Sequence, residues 1–126
     1  MTYDKNAQQY KAQMINTMTQ GELLLLLYDE LVKRLMQAEL ALDKSLFPAF
    51  EASVQRGIEI VNYLDATLDQ KYPISHDLSR LYEYFTYELG RVKIGRNKAV
   101  LVHVREKASE LRDAFRVAQK NGESGK

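Results

Sequence analysis

"TQGELLLLLYDEL", Thr19 to Leu31, sets five leucines side by side and follows them at once with Tyr28 and Asp29. An α-helix turns about 100° per residue, so five successive leucines cover every side of a turn, whereas a surface helix needs only one stripe. The stretch opens as a helix start: Thr19 and Glu22 stand at the spacing of a capping box, in which hydroxyl and carboxylate satisfy exposed first-turn amides. This predicts a first helix running to about Asp43. Around it, Leu24, Leu27, Tyr28, Leu31, Leu35, Ala38 and Leu42 make a continuous core stripe, and Leu25, Val32, Met36 and Leu40 make a second apolar face.

Outward from that helix the pattern repeats. Six glycines and two prolines punctuate the 126 residues, and apolar residues recur three and four apart in four segments. A second helix is predicted from Ser45 or Phe47 to about Asp69, with Pro48 tolerated in its first turn. Tyr72-Pro73 breaks the pattern, and Ser75 is the expected N-cap of a third helix reaching Ile94, with Asp77 complementing its dipole. Gly95 is the expected left-handed C-terminal residue, and Asn97 caps a fourth helix to about Gln119. Connections this short make consecutive helices antiparallel. The fold class expected is therefore all-α, an up-down-up-down four-helix bundle over residues 19–119. Residues 1–18 form an N-terminal arm, partly helical because Tyr3, Ala7, Tyr10, Met14 and Met18 fall at helical spacing, and residues 120–126 a flexible tail.

On the second helix, Phe47, Phe50, Val54, Ile58, Val61 and Leu68 take the core side, leaving Ile60 and Tyr63 pointing elsewhere. On the third, Leu78, Leu81, Tyr82, Phe85, Leu89 and Val92 are core, while Tyr84 and Tyr87 project from another face. A helix between two neighbours buries a wide arc, which accounts for one such residue. A surplus on three helices points instead to an apolar interaction surface, of the kind that takes up amphipathic helices.

Composition narrows the partner. Lys and Arg total 18 against 17 Asp and Glu, so there is no global charge to draw nucleic acid or a membrane surface. The absence of Cys excludes disulfides and thiolate metal sites and suits a reducing compartment. No apolar run reaches the length of a membrane span and no signal core opens the chain, which suggests the cytoplasm.

Catalytic readings find no footing. His76 and His103 fall on different helices without a ligand spacing, so no metal or other cofactor is expected. Gly90 and Gly95 have the spacing of a phosphate-binding loop, yet Arg96-Asn97 replaces the required Lys-Ser/Thr and no strand precedes. Ser residues sit where caps belong, and no Ser-His-acid set stands out. The chain does not read as an enzyme. Arg91, Lys93, Arg96, Lys98, Arg105 and Lys107 crowd the third-to-fourth helix turn. A nucleic-acid footprint asks for a more basic domain with exposed aromatics interleaved, so this cluster reads as a solvated face able to steer an acidic partner.

Tyr10, followed by "INTMTQGELLLLLYDEL" from Ile15, resembles the opening of the flagellin-specific secretion chaperone family FliS. "LSRLYEYFTYEL", Leu78 to Leu89, is similar to that family's Leu-Tyr-Asp-Tyr stretch, and "ELRDAF" to its closing Leu-Arg-x-x-Trp. Gln20, Phe115 and Val92 depart from the Pro, Trp and small residue common there.

The resemblance implies a cytoplasmic chaperone that binds the disordered C-terminal segment of flagellin, prevents premature polymerisation and aids delivery to the flagellar type III export apparatus. Other flagellar regulatory proteins are possible partners. Tyr10 and Ile15 match positions tied to client binding and to covering the apolar surface. The partner-binding residues expected are Leu25, Val32, Met36, Ile60, Tyr63, Tyr84 and Tyr87, covered in part by the arm bearing Tyr10, Met14 and Ile15. The competing reading is a self-associating helical adaptor without a flagellin client, and the oligomeric state expected is a monomer or a weak dimer.

Overall fold

The structure is a computed structural model that describes residue 9 and residues 18–124, with side chains as far as residue 121. The arm residues Tyr10, Met14 and Ile15 lie outside the described residues. Four helices follow in order: α1 (Gln20–Asp43), α2 (Phe47–Ala66), α3 (Ile74–Gly95) and α4 (Lys98–Ser124). Each packs on its chain neighbours, and α4 returns to α1, closing a ring in which α3 and α4 touch least.

Cross-helix polar contacts fix the directions. Asp43 at the end of α1 meets Lys98 at the start of α4 at 2.5 Å, while Asp29 near the start of α1 meets Arg116 at 3.2 Å. Likewise Ser79 donates to Asp65 and Lys93 to Gln55, both at 2.9 Å, so α3 runs back along α2. The bundle is up-down-up-down, as expected.

Local chemistry sets the ends. Thr19 has extended backbone and its Oγ1 accepts from the Glu22 amide at 3.2 Å, and Asn97 Oδ1 accepts from the Val100 amide at 3.2 Å. Each satisfies one of the four orphan amides at its helix start. At the end of α1, Ser45 takes the left-handed conformation (φ 56°), letting the amides of Ser45 and Leu46 reach the carbonyls of Leu42 and Ala41 at 3.0 and 2.8 Å. That is a Schellman closure on a residue other than glycine.

Four expectations are corrected. Gly95 is helical, and Arg96 is the left-handed residue (φ 54°), its amide bonding Val92 O at 2.7 Å. Its guanidinium lies 3.6 Å over the Phe47 ring, a stacking contact that glycine lacks. Ser75 is no cap: α3 begins at Ile74 after Pro73, and Ser75 is buried in the first turn. Helix α4 runs through Ser124, past the Gln119 end expected, so residues 120–124 continue it. Helix α2 also ends at Ala66, short of Asp69.

The core is a ladder of Tyr28, Leu31, Leu35 and Ala38 from α1, Phe50, Val54, Val61 and Leu64 from α2, Tyr82, Phe85, Leu89 and Val92 from α3, and Leu101, Val104 and Ala108 from α4. Gly57 permits the close approach of α1 and α2, since a β-carbon there would stand 3.0 Å from Leu35 Cδ2.

Candidate partner-binding surface

The five-leucine run answers to its rotation. Leu24 leans on the core, while Leu23 and Leu27 form one wall of a groove of about 330 Å³ between α1 and α2, whose other wall is Arg56, Glu59, Ile60 and Tyr63. Leu25 turns toward the α4 side of α1, on the same arc as Val32, Met36 and the ion-paired Glu39 and Asp43.

A larger cavity, about 580 Å³, opens at the end of the bundle where α1 and α3 start and α2 and α4 finish. Leu24, Leu64, Leu68, Leu78 and Phe115 give it an apolar lining, and Tyr72 and Ile74 stand exposed at its rim. Tyr28 and Tyr82 reach it too, their hydroxyls hydrogen-bonded to each other, with the Phe115 ring 5.3 Å from that of Tyr28. Burial pushes the Tyr28 phenol above its usual range. Burial does the same for Tyr82, reinforced by its hydrogen bond with Tyr28 and the nearby Asp65 carboxylate. Ser75, 2% exposed, lies on the same wall, its Oγ without a hydrogen-bond partner among the described residues.

The residues expected to form one surface are divided among several. Val32 and Ile60, at 4% and 5% exposure, belong to the core cluster, which corrects their placement on an outward face. Each helix of the ring contacts two neighbours, so the buried arc is wider than a single stripe. Leu25 is half-buried and Met36 exposed beside the α1–α4 seam. Tyr63 is exposed at the α1–α2 groove. Tyr84 meets His103 edge-on at 6.4 Å between α3 and α4, and Tyr87 stands out under Arg91. Leu23 and the end-cavity residue Leu64 were not singled out from sequence, and Ser75 was read there only as a helix cap. The i, i+4 pairing of Leu23 with Leu27 on the flank of the core stripe was the available signal.

The basic cluster is mostly neutralised. Arg105 makes a two-pronged pair with Glu39 at 2.7 and 3.2 Å, which raises its pKa further. Lys98 holds Asp43, Arg91 holds Glu88 at 3.3 Å and Lys107 holds Glu110 at 3.5 Å. Both histidines are exposed. Among the described residues no group of three His, Cys, Asp or Glu is placed to hold a metal ion, and no helix is long and apolar enough to cross a membrane.

Comparison with known proteins joins this architecture to a family. The family described as "Flagellar protein FliS" matches residues 3–122. The chain belongs to the FliS family. It is similar to the flagellar secretion chaperone FliS of Bacillus subtilis (strain 168), 26% identical over 109 residues that span 86% of this chain and 82% of the relative. In three dimensions it is similar to a crystal structure of a bacterial flagellar chaperone, with a TM-score of 0.77, 16% identity, and coverage of 92% of this chain and 98% of the other. Flagellar chaperone, all-α four-helix bundle and a part in flagellum biogenesis therefore describe this FliS-family chain.

Proposed function

We propose that this chain holds the C-terminal segment of flagellin in the cytoplasm, keeps it from polymerising early and aids its delivery to the flagellar type III export apparatus, without catalysing a reaction. The observation that carries the reading is the leucine run of a FliS-family helix, set between two apolar depressions. Leu23 and Leu27 line the lateral groove, and Leu24 and Tyr28 the end cavity. An amphipathic segment lying along α1 places apolar residues in both, in the helix-in-groove manner.

Tyr63 and the Leu23–Leu27 wall are the client contacts on one side, and Leu25 and Met36 extend the surface toward α4. Tyr10, Met14 and Ile15 cover part of it when the client is absent. Such a client orders as it binds, which costs about 2–5 kcal/mol or more of the gross contact energy and calls for a large wrapped interface.

The test is flagellin assembly followed by light scattering. An equimolar amount of this chain delays polymerisation of full-length flagellin and has no effect on flagellin lacking its C-terminal segment. Equal polymerisation curves with and without the chain would remove the reading.

A further inference from the structure

Helix α4 changes character along its length. Its first half is anchored: Leu101, Val104 and Ala108 are fully buried, and Arg105 grips Glu39 of α1 with two prongs. Ala108 is the last buried residue on it among the described side chains, yet the helix runs to Ser124, roughly four turns further. Weaker holds keep residues 109–120 on the bundle. Leu111 and Phe115 are half-buried, the Phe115 ring 5.3 Å from that of Tyr28. Asp29 of α1, itself half exposed, takes Arg116 at 3.2 Å and Arg112 at 3.7 Å. The Gln119 side chain lies over Gly21, so close that a β-carbon there would collide with it. Between these holds Ala114, Val117 and Ala118 are exposed.

Ion pairs this exposed contribute little, and a half-buried ring contributes less than a core one. The second half of α4 is therefore the more easily opened, and it is the half that closes the end cavity, where Phe115 stands in the wall beside Tyr28. How it leaves follows from its sequence. α4 has no proline, and no glycine before Gly122, so it lacks a place to kink and swing away as a rigid arm. It opens by unwinding, back to the firmly packed turn at Ala108. Asp113 pairs with Arg112 at 3.1 Å and with Arg116 at 3.7 Å, and Asp29 holds the same two arginines from α1. The turns they span are tied to one another and let go together.

We propose that residues 109–120 form a strap over the end cavity, which unwinds from α1 as one unit and admits the client to the face of Tyr28 that Phe115 covers. The seat that Phe115 vacates fits an aromatic ring, and an aromatic or large apolar side chain of the incoming helix fills it again. The gating rests on the client reading above, whereas the strap itself is a property of the free chain.

The experiment is amide hydrogen exchange on the full chain, read residue by residue. Residues 112–118 are expected to share one level of protection, about a hundredfold below that of residues 101–108. Equal protection of the two halves, or a smooth gradient toward the helix end as simple fraying gives, would overturn the strap. Asp29→Asn releases both arginines and speeds exchange of residues 112–118 about two- to fivefold, and Phe115→Ala about tenfold, with residues 101–108 unchanged. Asp43→Asn, which frees Lys98 at the far end of the same seam, leaves residues 112–118 as they were. An equal response to Asp43→Asn, or none to Asp29→Asn and Phe115→Ala, would also overturn it. Titration with the C-terminal segment of flagellin then tests the gating: Asp29→Asn tightens binding by the factor it adds to exchange, because apparent affinity follows the open fraction. Faster exchange without tighter binding overturns the gating. No binding by the natural sequence removes the client reading instead, and the exchange pattern still decides for or against the strap.

Discussion

The phenol oxygens of Tyr28 on α1 and Tyr82 on α3 share a hydrogen bond inside the bundle, joining helices that sit diagonally across the ring. Each ring is almost wholly buried. The pair therefore fixes the depth at which α1 and α3 meet and forms part of the wall of the end cavity. Removing one hydroxyl orphans the other. Tyr82→Phe is expected to cost about 1–3 kcal/mol, and the double Tyr28→Phe, Tyr82→Phe variant less than the sum of the singles, because no buried hydroxyl is left unmatched. Urea midpoints of the four proteins measure this.

The same pair makes the fold sensitive to alkali. Both phenols ionise at higher pH in the native bundle than the ordinary value of 10.0 that holds in the unfolded chain. Above about pH 10 the unfolded state thus binds fewer protons than the native one, and stability falls as pH rises, by up to about 1.4 kcal/mol per pH unit for each phenol. Below that pH the contribution is constant. Denaturation between pH 8 and pH 11 should show a steeper decline for the natural sequence than for the double Phe variant.

Two left-handed residues other than glycine invite opposite outcomes. Ser45→Gly removes the cost of a β-carbon at positive φ and is expected to stabilise by about 0.5–1 kcal/mol. Arg96→Gly gains the same relief and loses the stack on Phe47, so it is near neutral, while Arg96→Ala loses the stack without relief and destabilises by about 1 kcal/mol. Thermal unfolding of the three variants separates the two contributions.

Gly57 and Gly90 differ by their surroundings. A β-carbon on Gly90 meets nothing within 4 Å, so Gly90→Ala should raise stability by about 0.5–1 kcal/mol through helix propensity. Gly57 faces Leu35, Leu31 and Leu89, and Gly57→Val overpacks that junction at a cost of about 1–3 kcal/mol. Calorimetric melting of both variants checks the contrast.

Helix starts marked by a side-chain cap were legible because capping is local: Thr19 and Asn97 act on amides three residues away. Without one, the start of α2 at Phe47 was still legible from Pro48 in its first turn, whereas that of α3, which follows Pro73 with no capping side chain, was not, and Ser75 was assigned a role that its buried position denies. Periodicity located most of the core but misplaced Ile60 and Val32, since which flank of a helix is covered depends on neighbours distant in sequence. The basic cluster looked open because Glu39 and Asp43, which neutralise Arg105 and Lys98, stand 66 and 55 residues away.

The most direct measurement is a calorimetric titration of this chain with the C-terminal segment of a flagellin from the same source, repeated with Tyr63→Asp and with Tyr87→Asp. The account predicts one-to-one binding with a strongly negative heat-capacity change, weakened about tenfold or more by Tyr63→Asp at the α1–α2 groove and left unchanged by Tyr87→Asp. Binding untouched by Tyr63→Asp, or no binding by the natural sequence, would contradict it.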